Sequence, residues 1–251
     1  MTTYIFKGMV LPERELINLS LLTSTFKSKA TDKVMFEIKL DITCNQITCW
    51  VDTNSECNLT IYDLKNEVQE YISIHLAVLG FVSGYVYNIE ITQVIYEERS
   101  VGVFPIFIHC IQERNKNIDA NNKFISLLSK VNSDKLSSIY LSRCFTDLTM
   151  AMKNPVDTGF YCYRAIESLR EYCKNKHGMG KNKDAPWEKF REIIGYAERK
   201  DFDDYIKVVT DFAYPVRHGD TLHITDSNRV EIFMKTWDVV EAFLEKYQDF
   251  N

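Results

Sequence analysis

Only nine glycines serve the 251 residues, and they build neither a G-x-x-x-x-G-K-[ST] phosphate cradle nor a G-x-G-x-x-G turn. A G-x-S-x-G nucleophile elbow and an H-E-x-x-H zinc helix are missing as well. The seven cysteines (44, 49, 57, 110, 144, 162 and 173) form no C-x-x-C pair, and their number is odd. Cys44, Cys49 and Cys57 lie closest together, but no histidine joins them at zinc-ligand spacing. They read as reduced, mostly buried thiols, with no metal and no cofactor implied.

No apolar stretch approaches the roughly 20 residues of a membrane span. The start, Met1-Thr2-Thr3-Tyr4-Ile5-Phe6-Lys7, lacks the basic end and apolar block of a secretory signal. A cytoplasmic protein with no membrane association is the expectation. Positive charge is also short: 30 Lys and Arg face 35 Asp and Glu, giving a net charge of -5. That excludes a chain that coats nucleic acid through bulk charge. What is present, 45% apolar and 26% charged residues, is ordinary globular composition. A chain of this length buries roughly three quarters of its unfolded surface, enough for one large domain or two modest ones.

The two halves differ in period, and together they predict an α+β fold. From Val34 to Ile42, Phe36, Ile38, Leu40 and Ile42 alternate with Glu37, Lys39 and Asp41, as a half-buried strand requires. Asn45-Gln46 separates it from a partner at Ile47–Val51. Tyr4–Val10 and Leu16–Leu22 are weaker strand candidates. Leu64, Val68, Ile72, His75 and Leu79 then share one helical face, with Asp63 as a possible cap and Gly80 and Gly84 as terminators. His75 on that stripe reads as a core histidine. Tyr87–Thr92 alternates again, and Phe104–His109 reads as extended. Residues 1–113 are therefore expected to form a mostly antiparallel sheet with one packed helix. The polar, aperiodic stretch 114–122 reads as a linker.

Residues 123–251 predict an antiparallel bundle of four or five helices. One runs from Ser133 to Met152 and the next from Thr158 to Lys176, with Cys162, Ile166, Leu169 and Cys173 inside. Pro186 opens a shorter helix ending before Gly195. Phe202, Ile206, Val209, Phe212, Ala213 and Val216 mark the clearest amphipathic helix, and a last one begins near Asp226-Ser227-Asn228.

One locus breaks the local rules. Pro215 should kink or restart the helix before Arg217-His218-Gly219-Asp220-Thr221-Leu222-His223, and Gly219 permits a left-handed backbone. The locus sets a guanidinium, two imidazoles and a carboxylate on about seven residues. Such groups suit metal-independent phosphodiester cleavage: histidine exchanges protons with the ribose and leaving oxygens, and arginine holds the phosphate. A plain helix C-terminus, with cations near its negative end and a glycine cap, fits the same residues.

With its Arg, five intervening residues and His, Arg217 to His223 resembles the motif of the HEPN superfamily, named for higher eukaryotes and prokaryotes nucleotide binding. The helix Tyr163-Arg164-Ala165-Ile166-Glu167-Ser168-Leu169-Arg170 is similar to the family's second motif helix. The resemblance covers about residues 123–250. It implies a helical bundle and a metal-independent endoribonuclease, acting as a toxin or antiphage effector, in which Arg217 grips the phosphate and His223 or His218 is the acid/base. It further implies a homodimer that completes the site, with Glu167 and Arg170 beside it. The alternative is a non-catalytic HEPN-like module that binds nucleotide, nucleic acid or protein.

Charge adds a detail. Residues 1–121 carry 10 basic and 15 acidic side chains, whereas Arg170–Arg191 holds 7 basic against 3 acidic. Lys181 and Lys183, within that basic stretch, are candidate contacts for RNA or nucleotide, and the acidic first half is a candidate for a regulatory partner.

Overall fold

In the computed structural model, which describes residues 2–27, 34–96, 100–180, 184–220 and 222–247, the chain divides into Met1–Ile106 and Phe107–Asn251. The class is α+β, with the strands in the first unit and a helical second unit.

The first unit is a six-stranded antiparallel sheet in the order β2-β3-β4-β1-β5-β6. Its strands are β1 (Thr2–Leu11), β2 (Leu19–Lys27), β3 (Val34–Thr43), β4 (Gln46–Thr53), β5 (Asn88–Tyr96) and β6 (Ser100–Val103). The alternating apolar residues of β3 and β4 point to one face, where Ile38, Leu40, Cys49 and Val51 are fully buried. The β3–β4 turn uses Cys44 and Asn45, both at positive φ (47° and 66°), the primed geometry that matches strand twist. Asn45 also pins the preceding segment: its Oδ1 accepts from Ile17 N and its Nδ2 donates to Glu15 O at 2.8 Å.

Helix α1 (Ile61–Ser83) packs Leu64, Val68, Ile72 and Leu76 into the core of this unit. Its cap is Thr60, with Asp63 completing a capping box from the third helical position; Asp63 is not itself the cap. Gly84, at φ 73°, ends the helix, while Gly80 stays inside it, where an added Cβ would meet Tyr85 O at 2.7 Å. His75 is half-buried, its Nδ1 2.7 Å from Tyr71 O. The extended segment expected at Phe104–His109 is displaced: β6 ends at Val103, Phe104 stacks on Phe6 in the core, and His109 opens a helix.

The second unit contains α2 (His109–Asn115), α3 (Ala120–Val131), α4 (Lys135–Lys153), α5 (Thr158–Lys176), α6 (Ala185–Ile194), α7 (Arg199–Tyr205), α8 (Lys207–Arg217) and α9 (Asp226–Lys246). That is more than the four or five expected, because α2 and α7 span only seven residues each and α3 opens on a polar turn. The stretch 114–122 is not a bare linker. Arg114 on α2 bonds Asp238 and Glu241 of α9, Lys123 on α3 reaches Glu241, and Asp119 caps α3. Its polar residues therefore work as caps and ion partners, which periodicity does not register.

The expected kink at Pro215 is also corrected. α8 runs through Pro215 to Arg217, and the break falls instead at Ile206, between α7 and α8. Pro215 lies in the last turn, so only the one bond to the exposed residue Asp211 is forgone, and water can satisfy that carbonyl. His218 caps the helix. Gly219 N donates to Val216 O and Asp220 N to Pro215 O, a Schellman closure with Gly219 at φ 86°.

Candidate functional site

Gly159, in the first turn of α5, sets how closely α5 and α8 approach. A Cβ there would lie 2.6 Å from Phe212 Cβ and 2.9 Å from Phe212 C, so only hydrogen fits. Beside this contact opens a cleft of about 520 Å³. Asp157, Phe160, Tyr163, Arg164 and Glu167 line it from α5 and its cap, and Ala213, Val216 and Arg217 from α8. The α5 set follows the i, i+3, i+4, i+7 spacing of a single helical face.

Two guanidinium groups flank the cleft, and they are held differently. Arg164 lies over the rings of Phe160 and Tyr161, 5.4 and 5.7 Å from their centroids, and its Nη2 is 3.2 Å from Asp147 Oδ1. Asp147, on α4, is almost wholly buried, and its Oδ2 has no hydrogen-bond partner among the described residues. Burial pushes its carboxyl above the ordinary value, against the opposing pull of Arg164 and Arg143. Arg217 is more exposed, and its Nη1 lies 4.0 Å from Glu167 Oε1, the outer limit of an ion pair. Its donor fork is therefore largely available.

Two aromatic rings, Phe160 and Tyr163, are among the lining side chains, and Tyr214 lies next to the second. The Tyr163 and Tyr214 hydroxyls lie 3.3 Å apart, and burial raises the Tyr163 phenol well above its usual value. Burial also raises Asp157. Arg groups with planar rings in one hollow suit an anion attached to a flat or apolar body.

Of the residues expected from the sequence, the structure brings Glu167 and Arg217 together. Arg170 goes elsewhere: it pairs with Glu171 and lies over the Trp187 ring at 5.1 Å. His218 and His223 are both exposed, and neither lines the cleft. Lys181 and Lys183 lie outside the described residues. Asp157, Phe160, Tyr163 and Arg164 line the cleft without having been expected there as site residues. The i−3 spacing from Glu167 marks Arg164, but nothing local marks its buried partner Asp147. Among the described residues no group of three or more His, Cys, Asp or Glu could hold a metal ion, and no helix is long and apolar enough to cross a membrane.

Residues 4–104 match the family described as Domain of unknown function (DUF8168) N-terminal domain, and residues 127–248 its C-terminal domain. The chain thus carries both parts of this family in order, and their division agrees with the two units of the structure. No curated protein and no solved structure matches the chain.

Proposed function

We propose that the helical unit is a HEPN-like module that binds a nucleotide or single-stranded RNA in the α5–α8 cleft. The observation that carries this reading is that Arg164 and Arg217 line one hollow together with the rings of Phe160 and Tyr163. Guanidinium groups present planar donor forks to phosphate, and aromatic faces accept a base by stacking. Binding ranks above cleavage because the histidines do not reach the hollow.

The reading sets the protein in the cytoplasm, with the acidic first unit receiving a regulatory protein. Fluorescence anisotropy of a labelled RNA oligonucleotide, and of labelled adenosine phosphates, tests it in EDTA. Arg217→Ala and Arg164→Ala are each expected to weaken binding by at least about tenfold and to lower the salt slope. Wild-type protein that binds none of these probes, or variants that bind as well as it does, would remove the reading.

A second reading is metal-independent RNA cleavage in a toxin or antiphage effector. It is favoured by the exposure of His218, which caps α8, and of His223 in the segment leading to α9, both close in sequence to Arg217. It needs those imidazoles to meet a phosphate held by Arg217, in a homodimer that completes the site. Cleavage of single-stranded RNA in EDTA that disappears in both Arg217→Ala and one histidine variant is its signature.

A further inference from the structure

The second half of α1 is apolar on two sides. One stripe enters the core of the first unit through Ile72 and Leu76. The opposite stripe, Ile74, Val78, Phe81 and Val82, is 57%, 62%, 92% and 77% exposed, and Tyr85 and Val86 continue it past the Gly84 cap. A helix apolar all round belongs in a protein interior. The charged residues of α1 (Asp63, Lys65, Glu67 and Glu70) all fall in its first half, and no Asp, Glu, Lys or Arg occurs from Tyr71 through Tyr87.

We propose that this stripe is a docking surface for the same stripe of a second copy of the chain. Three observations select that occupant. The 4-3 spacing of Ile74, Val78 and Phe81 is a helix-pairing seam, and Ser73 and Ala77 beside it are small enough for close backbone approach. A two-fold pairing buries the same stripe twice, so any charge in it would have to be desolvated in both copies; this one carries no Asp, Glu, Lys or Arg. The same acidic balance that leaves residues 1–121 with 10 basic against 15 acidic groups disfavours an anionic lipid surface.

Area points the same way. Six large apolar side chains exposed by half or more present roughly 700 Å², above the patches usual on monomers and near the ~800 Å² each partner of a standard interface buries. Antiparallel crossing near Val78 places Phe81 of each copy on Ile74 of the other. The inference stands apart from the cleft and its ligand, and it sets the contact on the first unit, not on the helical one.

Sedimentation equilibrium of the full chain at tens of micromolar tests it. Twice the 29.4 kDa chain mass is expected. Phe81→Glu and Val78→Asp should each weaken the dimer by at least about 100-fold with an unchanged far-ultraviolet circular dichroism spectrum. Should those variants fold poorly, Val78→Cys in a Cys44→Ser background decides the matter. Mild oxidation should link its copies covalently, and Glu67→Cys, on the charged half, should stay unlinked. A monomeric wild type overturns the proposal, as does a dimer indifferent to Phe81→Glu with no link through Val78→Cys. Monomers that pellet with phosphatidylcholine vesicles, and cease to in Phe81→Glu, would overturn it in favour of a membrane surface.

Discussion

Arg164 Nη2 lies 3.2 Å from Oδ1 of Asp147, a carboxylate that is only 3% exposed. The pair joins the cleft wall to the interior of the helical unit, and its two members are not equivalent. Folding raises the Asp147 pKa through burial. Its stability contribution is therefore present below the ordinary carboxylate value and lost as pH rises through the folded one. Removing Arg164 leaves the buried charge with only the weaker pull of Arg143. Arg164→Ala should cost roughly 2 kcal/mol at neutral pH, less than for a fully buried pair because Arg164 is partly solvated. The loss should shrink as pH is lowered from neutral into the acid range, where Asp147 takes up a proton. Asp147→Asn should cost under about 1 kcal/mol. Urea unfolding at neutral and acid pH checks both; a greater Arg164→Ala loss in acid would contradict the account.

Asp134 behaves in the opposite sense. It caps α4 by accepting from Ser137 N at 2.9 Å, and it receives Lys176 Nζ at 2.7 Å. The Lys176 hydrogen bond, then the Ser137 amide, lower its pKa from 3.8 to about 2. The stability it contributes is present above 3.8 and lost as pH falls toward about 2. Asp134→Ala should cost about 1 kcal/mol at pH 7, a typical cap loss. In melts near pH 2 the variant and the parent should differ far less.

Gly159 links packing to the site. Gly159→Ala forces a Cβ into the Phe212 backbone, so α5 and α8 must separate. The expected cost is about 1–3 kcal/mol. RNA or nucleotide binding should also weaken in the variant that remains folded, since both helices line the cleft. Equal affinity in folded Gly159→Ala protein would detach the helix approach from the site.

The cysteines predict a labelling order. Cys44 is exposed, Cys57 and Cys110 are half-buried, and Cys49, Cys144, Cys162 and Cys173 are buried. Burial pushes Cys49, Cys162 and Cys173 up to about 12 and Cys144 higher still. Thiolates are the reactive form, so maleimide at neutral pH should modify Cys44 first. The four buried thiols should react only after unfolding, as counted by intact mass. Early modification of any of them would contradict the packing.

The strands of the first unit and the long helices of the second were legible because their periods are local. Val34–Ile42 reads directly as β3, and the span Thr158–Lys176 is α5 without adjustment. α2 and α7 escaped notice because each spans only seven residues, and α3 because its polar first turn, tied to α9 through Lys123, masks the Leu127 and Val131 that pack on the core. Pro215 misled for a different reason. Its penalty depends on how many hydrogen bonds lie beyond it, and only the last turn does.

The sequence by itself determined the α+β class and the glycine closure after His218, since each rests on neighbours along the chain. Only the tertiary structure decided which groups share the cleft. It admitted Arg164, turned Arg170 onto Trp187 and left both histidines outside. Those outcomes depend on the approach of α4, α5, α6 and α8, which no period along a single helix encodes.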